Sequence, residues 1–454
     1  MDPLEIDIPD LQPEERLIIH SLRSKFSGGN NHSLHRPAHS GIRWDVVFET
    51  ALRWNIAPML YRLIKDRPES SNAWLIPDDV FISIKAAYIK TYMVNQTNFS
   101  DLTEIIESFS TAGIQALLLK GAHLAPYVYK DIGFRWMSDI DILIKREDFD
   151  KAHDQLSLIG YKYPDIAPEV WDDFGRKKEL RDEAAVIEWY KTHHMHLNYY
   201  HPRGIHNLEL HWRIARSTSP FVIDTDGLWE RAGREELNGH TVRVLSPEDL
   251  LLHICLHDAY YHHLKLFGLR PCCDVAIVIQ QFSDEIDWKA LQRRARTWGV
   301  ERYLCLMLRV TQELFQVDIP NAPFNATGKR IVNKRIQRQS VRRILGRETD
   351  RPSHKGMKYP STIQTFRPGE GLLEEIGFFL KRTRIPREEI VARYALSSSS
   401  RLISVYRLTR LATLILSYAQ LYGSYFWYRL RHGQTDRTDY SLDMWLRAPP
   451  PRRK

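Results

Sequence analysis

At 454 residues the chain is too long for one ordinary core and suggests two or three domains, and its 43% hydrophobic content excludes a wholly disordered protein. Lysine and arginine outnumber aspartate and glutamate by 64 to 56, a mild excess that favours an acidic partner (nucleotide phosphate, nucleic acid or an anionic surface) without choosing among them. Four cysteines, Cys255, Cys272, Cys273 and Cys305, form neither a disulfide framework nor a CxxC metal site, and with the acidic opening MDPLEIDIPD they predict a cytoplasmic setting.

Residues 12 to 95 read as helical, with apolar positions at three- and four-residue steps in WDVVFETALRWNIAPMLYRLI (44–64). Beyond Asn98, DLTEIIESFSTAG predicts a helix that Gly113 stops, IQALLL a short buried strand, and HLAPYVYK a further helix. DIGFRWMS reads as a loop, DIDILI as a second strand, and REDFDKAHDQLSLIGY as a helix ending at Gly160, an alternation that implies a mixed α/β layer. MHLNYY (195–200) and IHNLELHW (205–212) flank His-Pro-Arg-Gly, a four-residue connection suited to a hairpin. Ser246 as cap, Pro247 in the first turn and the acids Glu248 and Asp249 predict a helix start, with helical sequence continuing to about 316.

A polar stretch then contains KRIVNKRIQRQSVRRILGR (329–347), whose Ile331, Ile336, Val341 and Ile344 interleave with the charges. That pattern favours a helix with a solvated basic face over a dedicated nucleic-acid patch. Uncharged LATLILSYAQLYGSYFWY (411–428), flanked by Arg407, Arg410, Arg429 and Arg431, has too many polar residues and tyrosines for a hydrocarbon span. It suits a packed terminal helix, with interfacial membrane contact through 401–431 as the rival. The expected organisation is a helical region over 1–97, a core over 98–245, a helical region over 246–320, a basic linker or helix over 321–370 and a C-terminal helical region over 371–454.

In FRWMSDIDILI (134–144), side-chain alternation puts Asp139 and Asp141 on one strand face and Ile140, Ile142 and Ile144 on the other. Neighbouring carboxylates repel unless protons, basic groups or cations relieve them. Mg²⁺ is a natural relief, since it takes one or two carboxylates together with phosphate oxygens and water, as in nucleotidyl transfer. The bland alternative is a strand-end acid pair neutralised by Arg135 or Lys145. Lys120 and Gly121 follow one strand and open a helix, where a lysine and backbone amides can meet phosphate; Arg135 and Ser138 lie on the approach to the acids. Glu209 in LELHW supplies a third carboxylate in principle, on the same face as His211, although such a segment could equally be an ordinary half-exposed strand.

LLLKGAHLAPYVYKDIGFRWMSDIDILI with the following REDFDKAHDQLSLIGY resembles the uncharacterised nucleotidyltransferase family of the polymerase-beta-like superfamily. WDVVFETALRWNIAPMLY, NLELHWRI, LSPEDLLLHICLHDAYYHHLKLFGLRPCCDVAIVI and IPREEIVARYALSSSSRLISVYRLTRL extend the resemblance over most of the chain, with His257 and Asp274 in matching contexts. The resemblance implies an α+β fold, a small mixed sheet embedded in N- and C-terminal helical regions. It also implies Mg²⁺-dependent (or Mn²⁺-dependent) transfer of a nucleoside monophosphate from an NTP to an acceptor, with release of pyrophosphate. Asp139, Asp141 and Glu209 would be catalytic and metal-binding; Lys120, Gly121, Arg135, Ser138 and His211 would bind the nucleotide. The Gly-Ser or Gly-Gly phosphate loop usual close before the aspartates is replaced by Lys120-Gly121, eighteen positions before Asp139, which shifts nucleotide grip to Lys120 and Arg135. Relatives beside natural-product peptide and polysaccharide genes leave open a small-molecule, peptide, protein or RNA acceptor.

The other expected class is a catalytically idle nucleotide- or partner-binding protein with the same fold. His193, His194, His196, His201, His206 and His211 crowd one region without HExxH or finger spacing, and read mostly as hairpin surface residues. Cys272 and Cys273 read as packing residues. P-loop, GxGxxG and GxSxG motifs are absent.

Overall fold

The computed structural model describes residues 11–26, 41–65, 76–163, 170–171, 177–178, 183–202, 207–216, 219–319, 331–347, 412, 442 and 445–446. Two compact units emerge: a larger one of residues 1–164, 190–353 and 449–454, and a smaller one of residues 165–189 and 354–448. The described parts of the smaller unit are chiefly a two-residue antiparallel pair, Val170–Trp171 with Lys177–Lys178, and the start of the helix Glu183–His193. The predicted C-terminal helices and the segment 401–431 fall almost wholly outside the described residues. Among those residues no helix is long and apolar enough to cross a membrane.

The larger unit opens with helices α1 (Pro13–Phe26), α2 (Trp44–Arg53), α3 (Ala57–Lys65) and α4 (Asp78–Thr111). Helix α4 runs unbroken across position 97/98, where the sequence places the edge of the core. Nothing interrupts it: neither glycine nor proline occurs between Pro77 and Gly113, and Ile84, Thr91, Asn95, Asn98, Leu102, Ile105 and Phe109 keep one buried stripe. Gly113 ends it in the left-handed region, at φ +71°.

Six strands follow: β1 (Leu117–Leu118), β2 (Asp139–Leu143), β3 (His196–Tyr200), β4 (Asn207–His211), β5 (Gly233–Leu237) and β6 (His240–Val244). Their spatial order is β3-β4-β2-β1-β6-β5. The sheet is mixed: β2 runs parallel to β4 and β1 parallel to β6, and the other neighbours are antiparallel. Strand β1 is shorter than IQALLL suggests, and the predicted helix HLAPYVYK is a short turn, α5 (Lys120–His123), continued by a π-helix over Leu124–Val128. The hairpin is present, but β3 ends at Tyr200 and β4 begins at Asn207, so the connection is six residues rather than four. The β5–β6 hairpin escapes the sequence reading despite its Asn238-Gly239 turn, both residues at positive φ as a tight two-residue turn requires.

Helix α6 (Phe149–Leu158) meets the sheet on its apolar face, where His153 Nδ1 lies 2.8 Å from the Tyr199 hydroxyl. A helical layer follows: α7 (Pro247–Leu256), a π-turn over His257–Tyr261, α8 (Arg270–Gln281), α9 (Trp288–Trp298), α10 (Glu301–Phe315) and α11 (Lys334–Ile344). The Ser246 side chain accepts from the Asp249 amide, the cap its sequence predicts. Helix α11 buries Ile336, Val341 and Ile344 while Lys334, Arg335, Arg338 and Arg342 are exposed, the solvated basic face the interleaving predicts. Among the described residues this is an α+β fold, a small mixed sheet flanked by helices.

Candidate active site

The parallel register of β2 and β4 sets Asp141 opposite Glu209 and Leu143 opposite His211; antiparallel β3 sets His196 opposite His211. Asp139, Asp141, Glu209, His211 and His196 therefore share one sheet face, while Ile140 and Ile142 are buried on the other.

Lys120 enters from the end of β1. Its Nζ lies 2.7 Å from Asp141 Oδ1 and 3.2 Å from Glu209 Oε2. To reach them its backbone takes φ +41°, a left-handed conformation that strains a residue with a Cβ and persists only where surroundings enforce it. Here the Leu119 amide donates to the Asp141 carbonyl (3.1 Å), tying the turn to β2. Gly121 must be glycine for a different reason: a Cβ there would come within 2.5 Å of Met137 Cγ and 2.7 Å of an Arg135 guanidinium nitrogen. The loop before β2 thus packs on bare backbone.

That loop is also held from α4. Buried Asn95 donates from Nδ2 to the carbonyls of Ile132 (2.5 Å) and Arg135 (2.7 Å), and Tyr88 donates to Asp131, whose carboxylate receives the Gly133 amide. Arg135 is buried and donates from Nε and Nη2 to Asp274 (3.0 Å each at closest), which also accepts from Tyr129. The alternative that Arg135 or Lys145 neutralises the acid pair is not what the fold shows. Asp141 pairs with Lys120 and His211, and among the described residues Asp139 accepts the Ser138 hydroxyl, at 3.0 Å.

Burial dominates the electrostatics, and paired charges decide its outcome. Burial and the Asp141 charge push the Asp139 carboxyl up to about 6, against partial relief from Lys120. Burial works the same way on Asp141 and Glu209 but is outweighed: Lys120 and then His211 hold Asp141 below the usual carboxylate range, and His211 and then Lys120 do so for Glu209. Burial opposes charge on His211, yet its hydrogen bonds to Asp141 (3.0 Å) and Glu209 (3.3 Å) win and raise its pKa. His196, with burial and His211 against it, falls to about 3 and stays neutral.

Asp139, Asp141 and Glu209 each offer an oxygen within 4.8 Å of the others, an all-oxygen donor set of the kind that suits Mg²⁺ or Mn²⁺. Asp141 Oδ2 is buried with no hydrogen-bond partner, although Oδ1 has two. A buried carboxylate oxygen left bare is unfavourable unless something binds it, so the residues fit a divalent cation. A second group, His196, Glu209 and His211, shares Glu209 and mixes nitrogen with oxygen.

The acids open on a cleft of about 360 Å³. Lys120, Gly121, Arg135, Ser138, Asp139, Asp141 and Glu209 line it, so seven of the eight residues singled out in the sequence meet there. The eighth, His211, lies behind the carboxylates and orients them instead of facing the cleft. His196 joins the wall as well; read as hairpin surface, it is placed by strand pairing, and a hairpin alignment putting it on the face of Glu209 would have found it. Asn95 had no local signal, being remote from the loop it holds. Opposite stands a helical wall that includes His257, Tyr261, Phe267 and Arg270.

A mixed sheet of an α+β fold thus presents three carboxylates on two adjacent parallel strands, faced by helices across a cleft. A family model described as "Uncharacterised nucleotidyltransferase" matches residues 40–316, more than half of the chain, and the chain belongs to that family. No curated protein and no solved structure matches it.

Proposed function

We propose that the protein transfers a nucleoside monophosphate from an NTP to an acceptor nucleophile, with Mg²⁺ (or Mn²⁺) held by Asp139, Asp141 and Glu209. The bound ion would neutralise phosphate charge and polarise the reacting oxygens. A bond forms between the acceptor and the α-phosphorus, the acceptor's proton passes to solvent, the bond from that phosphorus to the bridging oxygen breaks, and pyrophosphate leaves with its electron pair.

The protein's part is positioning and charge. Lys120, seated between Asp141 and Glu209, can turn its ammonium toward phosphate once a cation shares those carboxylates. Gly121 and Ser138 leave room and hydrogen-bonding capacity where the loop meets the cleft, and Arg135, locked by Asp274, adds fixed positive charge to the floor. His211 orients both inner carboxylates from behind. A reducing, cytoplasmic setting suits the four buried free thiols. The acceptor could be a small molecule, a peptide, a protein or RNA, and a biosynthetic one suits the family resemblance.

The observation that carries this reading is the bare, buried Asp141 Oδ2 within a three-carboxylate set at a cleft. The test is incubation with each α-labelled NTP, Mg²⁺ or Mn²⁺, and cell extract as acceptor source. Label should enter an acceptor with stoichiometric pyrophosphate, and Asp139→Asn should lower the rate by at least about 10²–10³-fold while remaining folded. Undiminished labelling by Asp139→Asn would overturn the assignment.

A further inference from the structure

The helical wall carries a cation that none of the roles above uses. Arg270, the first residue of α8, lines the cleft yet is only 9% exposed, and its Nε is buried without a hydrogen-bond partner. Among the described residues its guanidinium makes no ion pair. Its close companion is an aromatic face: Cζ sits 4.3 Å from the Phe267 ring centroid.

The other cations at the cleft differ. Lys120 is held by two carboxylates and Arg135 by the two oxygens of Asp274, while Arg216 is exposed. Among the described cations lining the cleft, Arg270 combines burial with a donor, Nε, that has no acceptor. A buried donor without an acceptor is unfavourable, and a planar, multi-donor group matches phosphate oxygens well. Burial and neighbouring Arg135 bring its pKa down to about 10, against the pull of Asp274 and Asp258, so it is still charged at neutral pH. Pro271, with no amide hydrogen, follows it in the first turn of α8, whose dipole adds positive potential at the same spot.

The seat of Arg270 is enforced from a distance. His263 and Leu264 both adopt left-handed φ (52° and 62°), a strained pair that turns the chain toward Phe267. Gly268 presses on Trp54, where a Cβ would come within 2.6 Å of Cα, and the Leu269 amide donates to the Trp54 carbonyl at 3.1 Å. Phe267 is further bracketed by His262, ring to edge at 4.8 Å, and by His257. Such over-determination of a cation with a bare buried Nε is wasteful for stability and useful for binding.

We propose that Arg270 binds the β- and γ-phosphates of the incoming nucleoside triphosphate from the helical wall, opposite the carboxylates that would hold its metal. This rests on the nucleotidyl-transfer reading and adds a residue to it. In that arrangement the leaving pyrophosphate is gripped by the helical layer and the α-phosphorus is presented to the sheet.

The test is the affinity of the full chain, with Mg²⁺, for inorganic pyrophosphate and for α,β-methylene analogues of the four common NTPs. It compares wild type, Arg270→Gln, Arg270→Lys and Phe267→Leu, each checked by thermal melting. Arg270→Gln should weaken both kinds of ligand about 10- to 100-fold, as loss of a charged hydrogen-bonding partner does. Arg270→Lys should recover part of that loss, which a merely structural role would not produce, and Phe267→Leu should lose less. Wild-type affinity in folded Arg270→Gln overturns the role of Arg270 and leaves the nucleotide reading standing. Failure of wild type to bind any analogue or pyrophosphate overturns both.

Discussion

Asp141 and Asp249 are both almost completely buried aspartates in the same structural unit, and their surroundings are opposite. Asp249 has a cation for each oxygen: Arg231 Nε lies 2.8 Å from Oδ2 and Arg294 Nη1 2.7 Å from Oδ1. Asp141 crowds two cationic groups onto Oδ1 and leaves Oδ2 bare, with two more carboxylates in reach. The first pattern is complete within the chain and ties α7 to neighbouring elements. The second leaves one oxygen bare in a residue that lines the cleft, so under the proposed function one buried acid is architecture and the other chemistry.

The contrast is broken most sharply by removing the complete cluster. Asp249→Ala takes the nearest partner from two guanidiniums that are 29% and 15% exposed, leaving Arg231 with Asp224 at 3.8 Å and Arg294 with Glu248 at 4.0 Å, and should lower unfolding free energy by about 3 kcal/mol in urea titrations. Transfer per folded molecule should be unchanged, since neither Asp249 nor its arginines line the cleft.

Asp139 should behave in the reverse sense. Its carboxyl is raised to about 6 in the fold, above its ordinary value, so its contribution to stability is fully present below about pH 4 and lost as pH rises through 6. Above that, the half-buried charge opposes folding of the metal-free protein. Asn keeps the side chain neutral, so Asp139→Asn should be more stable than wild type by about 1–2 kcal/mol at pH 8, allowing for screening, and equal to it at pH 4. Saturating Mg²⁺ should erase the pH 8 difference by stabilising wild type alone. A variant that loses both transfer and stability at pH 8 would place Asp139 with Asp249 among the structural acids.

These differences bear on what the sequence could reveal. The strand face of Asp139 and Asp141 follows from a period of two, and the Ser246 cap and the stop at Gly113 follow from local chemistry. Glu209 and His211 also share a face by period alone; that they stand beside β2 requires the parallel pairing of segments about seventy residues apart. What stayed hidden depends on longer reach. His196 needs the hairpin register, Asn95 needs the packing of α4 on a loop forty residues away, and Arg270 needs the anchor of Gly268 on Trp54. The continuity of α4 across 97/98 escaped for the opposite reason. Local signals show where a helix can start, and Asn98 and Asp101 look like starts, but α4 buries one stripe through both.

Helix α11 extends the comparison to charges that need no partner. Arg338 and Arg342 point to solvent from a helix whose buried stripe already fixes it, so water supplies to them what arginines supply to Asp249. Arg338→Ala and Arg342→Ala should each change stability by less than about 0.5 kcal/mol, the smallest effect expected here. Arg343, on the same helix but buried and donating to the His263 carbonyl at 3.3 Å, should be more sensitive, because its change also disturbs the strained turn that leads to Phe267 and Arg270. Denaturant titration of the three variants separates the cases. A loss above about 1 kcal/mol at Arg338 would mean that the basic face is occupied, and salt-sensitive RNA binding by wild type but not by the double variant Arg338→Ala/Arg342→Ala would identify the occupant.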